Sequence, residues 1–108
     1  MEHTQFAGVH AAATRKAAEA TQDFLAQHGD RDLCGFAWVT VYNVKLSSKL
    51  GKAMAAQGFR KAYGGGIQLW NPSGSMTQNI TAKEQGAEVY ARVLRDFGLE
   101  AYAGSRLD

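Results

Sequence analysis

Apolar positions recur along the chain at two kinds of spacing, and each kind predicts one kind of element. Spacings of three and four residues predict helices over residues 4–28, 46–57 and 81–97. Runs rich in β-branched and aromatic residues predict strands over residues 35–43, 59–63, 67–71 and 99–104, and residues 105–108 either extend the last strand or trail off it. The predicted order is therefore one helix followed by a β-α-β-β-α-β unit.

Glycine and small polar residues mark the ends of the predicted helices. Gly29, Gly58 and Gly98 each follow a helix, where a left-handed residue commonly closes the last turn. Thr81 and Glu84 have the spacing of a capping box, in which each side chain accepts a hydrogen bond from the other residue's backbone N–H. This pair predicts that the last helix begins at Thr81.

The order of elements matches the split βαβ, or ferredoxin-like, pattern. It predicts an α+β protein with a four-stranded antiparallel sheet and the two later helices on one sheet face. Strand 35–43 is predicted to be central, and because both its faces are mostly apolar we expect both to be covered. Residues 1–108 are predicted to be a single domain, with an N-terminal helix over 1–29 and the core over 34–108.

Composition is that of an ordinary globular protein. The chain has 108 residues, of which 45% are hydrophobic and 20% are charged. Cys34 is the only cysteine, which rules out an intrachain disulfide and favours a reducing compartment. No apolar run approaches the roughly 18 residues needed to cross a bilayer. We therefore expect a cytoplasmic protein without a membrane partner.

Charge is distributed unevenly along the chain. No acidic residue lies between Asp32 and Glu84, although the chain contains 10 in total. The basic residues in this acid-free stretch are Lys45, Lys49, Lys52, Arg60, Lys61 and Lys83. This asymmetry is typical of a positive face with a negatively charged partner, and equally of a solvated surface.

Other features of the same stretch suit a phosphate-bearing ligand. Gly64–Gly66 predicts a tight hairpin, and its backbone N–H groups could also hold a phosphate. Aromatic residues on an open sheet face are stacking platforms for bases, although most strand aromatics are core residues. The polar loop at 71–79 leads to a helix N-terminus. The predicted ligand-binding residues are Lys49, Lys52, Arg60, Lys61, Trp70, Asn71 and Ser73.

Catalytic and metal-binding patterns are lacking in the sequence. Cys34 would need a nearby base to act as a nucleophile, and all the histidines lie in the first helix. No CxxC, HExxH or carboxylate cluster at ligand spacing is present. The sequence therefore predicts a protein that is not an enzyme, with no catalytic residues, no metal and no cofactor.

Four short blocks resemble a family of small tailed-phage proteins, and together they extend over residues 34–108. The blocks are Cys34-Gly35-Phe36-Ala37-Trp38-Val39, Gln68-Leu69-Trp70-Asn71-Pro72-Ser73-Gly74, Ala82-Lys83-Glu84-Gln85-Gly86-Ala87 and Ala103-Gly104-Ser105-Arg106-Leu107-Asp108. The resemblance implies expression in a bacterial host cytoplasm, where small phage proteins often counter host defences by binding.

These observations favour a non-enzymatic counter-defence protein that captures a nucleotide signal or a nucleic acid. The alternative is a protein–protein inhibitor that uses the same basic face against an acidic host protein. A homo-oligomer is also expected, because the alanine-rich first helix has little of its own to bury and one sheet face lacks an assigned cover. Either the first helix or the open sheet face would form the contact.

Overall fold

The structure is a computed structural model that describes residues 1–31 and 33–108. After a short 3-10 helix, the described chain forms α1 (Phe6–His28), β1 (Gly35–Tyr42), α2 (Lys49–Ala56), β2 (Arg60–Lys61), β3 (Ile67–Trp70), α3 (Ile80–Asp96) and β4 (Glu100–Leu107). The strands form one antiparallel sheet in the order β2-β3-β1-β4. The predicted α+β class, N-terminal helix and four-stranded antiparallel sheet are confirmed, and β1 is the inner strand that the sequence predicts.

Alternating side chains of β1 separate the core from the opposite face of the sheet. Ala37, Val39 and Val41 are almost completely buried, and they share one apolar cluster with residues of all the α-helices. Leu69 on β3 and Ala101 on β4 extend this cluster across the sheet. The other side chains of β1 point away from the helices.

The first helix packs along α3. Ala13 and Ala17 are fully buried there, and Thr21 Oγ1 donates a hydrogen bond of 2.9 Å to the carbonyl oxygen of Ala82. Gly86 lies at the centre of this contact, where an added Cβ would come within 2.4 Å of Thr21 Oγ1. Small residues on both helices therefore allow their backbones to approach closely.

Because α1 lies on the helical side of the sheet, α1 does not cover the second face of β1, and cover by another subunit stays a prediction. In residues 1–31 and 33–108, no helix packs on the face that carries Phe36 and Trp38. Those two side chains are half-buried by their neighbours on the same face, and Tyr42 is exposed. The sheet therefore has one buried face and one open face.

Two helices begin at other residues than the sequence predicts. Asn79 is the N-cap of α3, and its side chain accepts a hydrogen bond of 2.9 Å from the backbone N–H of Ala82. Thr81 therefore lies inside the first turn, and the capping box predicted there is wrong. Ser48 caps α2 in the same way through the backbone N–H of Gly51, so α2 begins after the predicted residue 46.

The last strand is longer than predicted. It pairs with β1 along all 8 of its residues, from Glu100 opposite Tyr42 to Leu107 opposite Gly35. The predicted strand covered residues 99–104, and the sequence left open whether residues 105–108 extend it. Pairing with β1 supplies the backbone hydrogen bonds that hold this polar end in the sheet.

A hydrogen-bonded pair joins α1 to α3 inside the core. The hydroxyl group of Tyr90, which is fully buried, lies 2.7 Å from Nδ1 of His10. Thr14 Oγ1 lies 3.5 Å from the other ring nitrogen of His10. Burial lowers the pKa of His10 below its ordinary value of 6.5, and burial also raises the pKa of Tyr90.

We expect Gly86→Ala to lower the free energy of unfolding by about 1–3 kcal/mol, because the added methyl group must displace Thr21 from α3. Urea denaturation measures this change. Gly8→Ala is the matched control, since Gly8 is exposed on α1 and an added Cβ there meets nothing within 4 Å. The control should gain up to about 1 kcal/mol from helix propensity. Equal stability changes in the two variants would contradict the close packing at Gly86.

We also expect the free energy of unfolding to decrease as the pH falls below about 6.5. The pKa of His10 is lower in the folded protein than in the unfolded chain, so protonation favours the unfolded chain. The stabilisation that neutral His10 provides is complete above the pKa of His10 in the unfolded chain. It is lost as the pH falls through the lower pKa of His10 in the folded protein. Urea denaturation on both sides of neutrality should give a smaller pH dependence for His10→Gln than for the natural chain. Identical pH dependence would show that His10 is not responsible.

Candidate ligand-binding face

The open face of the sheet, here termed the aromatic face, carries the side chains that alternate with the core positions. Its members are Phe36, Trp38, Thr40, Tyr42, Gln68, Trp70, Tyr102, Gly104 and Arg106. In the part of the chain that the structure describes, no helix lies across this face, although Lys83 and Arg95 of α3 reach the rings of Phe36 and Tyr102 at 5.6 and 5.9 Å. The strand alternation alone therefore places a row of aromatic rings in contact with solvent.

Two tryptophans lie side by side on neighbouring strands of this face. Trp38 pairs in register with Trp70, and their ring centroids are 5.0 Å apart with an angle of 33° between the planes. The ring of Phe36 packs edge-on against Trp70 at 5.9 Å. Trp70 remains 47% exposed, so a ligand can reach about half of its surface.

Gly104 on β4 fixes the orientation of Trp38. A Cβ at this position would lie 2.6 Å from Nε1 and 2.8 Å from Cε2 of the indole ring. The ring therefore lies across the backbone of Gly104, an arrangement in which an aromatic side chain covers a glycine of the neighbouring strand. Any larger residue at 104 would push the indole away from the sheet.

Polar groups surround the tryptophan pair. The guanidinium carbon of Arg106 lies 5.6 Å from the ring centroid of Phe36 and 5.9 Å from that of Trp70, which are cation–π distances. Gln68 Nε2 donates to Thr40 Oγ1 at 3.2 Å, and Gln68 Oε1 accepts from Trp70 Nε1 at 3.3 Å. The rings are thus held in place beside a positive charge.

The triple-glycine hairpin abuts the other end of the aromatic face. Gly66 has a φ of 73°, and a Cβ there would lie 2.8 Å from the carbonyl oxygen of Val41 and 3.1 Å from Cδ1 of Tyr42. Only glycine fits this conformation so close to the neighbouring strand. Tyr42 in turn lies 6.2 Å from the ring of Tyr102.

A cavity of about 340 Å³, here termed the lysine cavity, lies between this hairpin and the loop that follows β1. Its lining consists of Val44, Lys45, Leu46, Ser47, Lys61, Gly66 and Ile67. None of these residues is acidic, and the two lysines supply two positive charges beside an apolar wall. Such a cavity suits a ligand that combines a negative group with an apolar part.

The structure places the predicted ligand residues in several different parts of the molecule. Trp70 lies on the aromatic face, and Lys61 lines the lysine cavity. Lys49 and Lys52 are exposed on α2 and do not line that cavity. Of the predicted lysines, only Lys61 therefore has a place in a defined cavity.

Arg60 is directed toward the end of α2. It pairs in register with Gln68, but its Nη1 donates to the carbonyl oxygens of Ala55 and Phe59 at 3.1 and 2.7 Å. A cation at the C-terminal end of a helix stabilises the carbonyl groups there. Arg60 thus has a structural partner, and its contact with a ligand stays a prediction.

Asn71 and Ser73 form hydrogen bonds inside their own turn. Asn71 has a φ of 48°, and its Nδ2 donates to the carbonyl oxygen of Ser75 at 2.9 Å. Ser73 is buried, and its Oγ donates to Asn71 Oδ1 at 3.4 Å and accepts from the backbone N–H of Ser75 at 3.3 Å. These bonds order the loop beside Trp70, and a direct role in binding stays a prediction.

Sequence reasoning missed two cations of the candidate site. Arg106 lies in the segment that the sequence left open as an extension of the last strand, and continuing the alternation from Tyr102 through Gly104 would have put it on the aromatic face. Lys45 lies in a loop, which periodicity does not locate. Conversely, Lys83 belongs to the acid-free stretch but is buried, with its Nζ donating to the carbonyl oxygen of Gly35 at 3.0 Å.

The arrangement offers stacking and charge rather than a reactive group. Cys34 is exposed at the start of β1. Among the described residues, no three histidine, cysteine, aspartate or glutamate side chains lie close enough together to hold a metal ion. The described helices also include none that is both long and apolar enough to cross a bilayer.

Comparisons with protein-family models, with curated proteins and with solved structures found no match to this chain. The resemblance to small tailed-phage proteins therefore stays a prediction, and the function has to be inferred from the geometry of the site.

Proposed function

We propose that this chain is a non-enzymatic binding protein that captures a phosphate-bearing ligand, either a nucleotide or a single-stranded nucleic acid, on its aromatic face. The observation that supports this most is the Trp38–Trp70 pair on an uncovered sheet, with the guanidinium group of Arg106 beside it. Each base of a nucleotide has a flat surface that stacks on such rings, and stacking does not require a particular base.

The positions of the cations support a ligand that carries negative charge. Arg106 supplies one charge at the tryptophan end of the face, and Lys45 and Lys61 supply two in the lysine cavity beside the hairpin. The side chains of Ile67 and of its paired neighbour Lys61 point to the helical side of the sheet, whereas Trp70 points to the aromatic face. The lysine cavity is therefore a second cationic place near the hairpin and is not part of the aromatic face.

We further infer that residues 34–108 form a ferredoxin-like unit. The strand order β2-β3-β1-β4 supports this assignment, because it places the first and third strands inside and the second and fourth at the edges. Sheets of this kind commonly keep one face free for ligands, as RNA-recognition modules do. The likeness of fold adds little on its own, since one fold serves many functions.

The phage resemblance supports a role in counter-defence within a bacterial cytoplasm. A small protein that binds a nucleotide signal tightly would remove that signal from the host without chemistry. Capture of this kind requires high affinity and enough protein, and it requires no reactive group. A site composed of aromatic rings and cations therefore suffices for it.

The second candidate function is inhibition of a host protein. Tryptophan, tyrosine and arginine are the residues that contribute most to protein–protein interfaces, and the aromatic face contains all three. Salt dependence distinguishes the two functions, because release of counterions from a nucleic acid makes its binding fall steeply with ionic strength.

We expect Trp70→Ala to weaken binding of oligothymidylate or ATP by about 5- to 150-fold, which corresponds to the loss of one stacked base. Quenching of the remaining tryptophan fluorescence measures the affinity. Tyr63→Ala is the matched control, because Tyr63 is fully exposed in the β2–β3 hairpin and lies outside the aromatic face. If neither ligand binds the natural chain, or if the two variants bind equally well, the aromatic face is not the site.

We expect the double variant Lys45→Ala with Lys61→Ala to bind oligothymidylate more weakly and to reduce the slope of log affinity against log salt by about one or two. The matched control is Lys49→Ala with Lys52→Ala, which removes the same charge from exposed positions outside the lysine cavity. Equal slopes for the two double variants would contradict a phosphate contact in the cavity.

A further inference from the structure

The last strand has no strand partner at its outer edge, where Arg95 of α3 donates a hydrogen bond to the carbonyl oxygen of Ala101. β4 lies at one end of the sheet and pairs only with β1. The backbone N–H of Asp108 donates to the carbonyl oxygen of Cys34 at 3.0 Å, so even-numbered residues of β4 direct their backbone groups toward β1. The residues whose N–H and C=O groups point outward are Ala101, Ala103, Ser105 and Leu107.

Proteins usually block such an edge with proline, a bulge or an inward charge, because an open edge pairs readily with another strand. β4 contains no proline, and its register with β1 is continuous from end to end. Its outward-pointing residues are small apart from the last one. The opposite edge of the sheet, β2, is only 2 residues long.

We propose that β4 pairs with β4 of a second copy of this chain, antiparallel and around a two-fold axis at Ala103. The pairing joins the two sheets into one continuous sheet of eight strands. It does not depend on the proposed ligand, and it leaves both aromatic faces open on the same side of the joined sheet.

The outward backbone groups match this register. Ala103 lies opposite the partner's Ala103, and Ala101 lies opposite the partner's Ser105, so every facing pair at these positions exchanges N–H and C=O bonds. The carbonyl oxygen of Ala101 already accepts a bond of 2.8 Å from Arg95 Nη1. A carbonyl oxygen has two lone pairs, so it can accept the partner's N–H as well.

The side chains are complementary in the same register. Glu100 lies opposite the partner's Arg106, with both side chains on the aromatic face. Asn43 Nδ2 donates to Glu100 Oε2 at 2.8 Å and positions the carboxylate at this edge. Tyr102 lies opposite the partner's Gly104, which repeats the aromatic–glycine pairing of Trp38 with Gly104. Side chains at such non-hydrogen-bonded pairs approach each other most closely.

The neighbouring registers lack this match. An axis at Tyr102 would set Glu100 opposite the partner's Gly104 and leave the carboxylate without a cation. An axis at Gly104 would set Glu100 opposite the partner's Asp108, which places like charges together. Only the axis at Ala103 brings the opposite charges face to face.

An exposed apolar side chain also finds a partner in this register. Leu107 is 58% exposed in the single chain. It lies opposite the partner's Leu99, and Leu99 packs against the core on the helical side of the sheet. The two-fold axis forms this contact twice.

Sedimentation equilibrium at high micromolar concentration tests the pairing. The natural chain should have twice the mass of the 11.7 kDa chain. Ala103→Pro should give a monomer, because the lost N–H points outward and no bond within the chain's own sheet is removed. Circular dichroism checks that the variant is folded. A natural chain that sediments as a monomer would overturn the proposal.

A charge exchange tests the register itself. E100R and R106E each place like charges opposite one another at both symmetric pairs and should raise the dimer dissociation constant about tenfold. The double variant E100R/R106E restores opposite charges and should return to the natural value. Both positions are exposed, so neither change should unfold the chain. If the single variants dimerise as well as the natural chain, or if the double variant is not restored, the register is wrong.

Discussion

Gly86 lies where α1 passes closest to α3, and the absence of a Cβ there leaves room for the side chain of Thr21. The hydrogen bond from Thr21 to the carbonyl oxygen of Ala82 then fixes how far along α3 the first helix lies. This contact buries Ala13 and Ala17 of α1, so those two alanines are covered within the chain, and oligomerisation through the rest of the first helix stays a prediction. The helix also stays away from the sheet, and the open face of the sheet follows directly from this packing.

Exposure of this aromatic sheet face to water is unfavourable in free energy, and a bound partner removes that exposure. Clustered aromatic side chains expose apolar area, and such patches on monomeric proteins mark sites of interaction more often than chance. The rings cannot turn inward, because strand alternation directs them away from the core. Their mutual contacts, the glycine beneath Trp38 and the arginine beside Trp70 order them in advance. A preordered surface loses less conformational entropy when a ligand binds.

Local patterns in the sequence predicted the helices and strands, because each depends on neighbours within a few residues, and the order of those elements predicted the antiparallel sheet and its central strand. The position of α1 could not be predicted in this way, since its amphipathic stripe fits a sheet, a helix or another subunit equally well. Arg106 escaped detection because the polar end of β4 is held in the sheet by pairing with β1 and not by its own propensity. Charge counting along the chain included Lys83 in the basic stretch, although α3 carries its ammonium group to the backbone of β1.

Arg106 connects the two surfaces that the fold leaves open. Its guanidinium group stacks over the rings of Phe36 and Trp70, and in a paired edge its N–H groups also face the partner's Glu100. The flat side of a guanidinium group can contact an aromatic ring while the N–H groups at its edge bind a carboxylate, so stacking and ion pairing are compatible. A phosphate at this end of the aromatic face would compete with that carboxylate for the same N–H groups. Pairing of the edges would therefore lower the affinity of Arg106 for phosphate, while Lys45 and Lys61 in the lysine cavity, on the helical side of the sheet, would keep their charge unopposed.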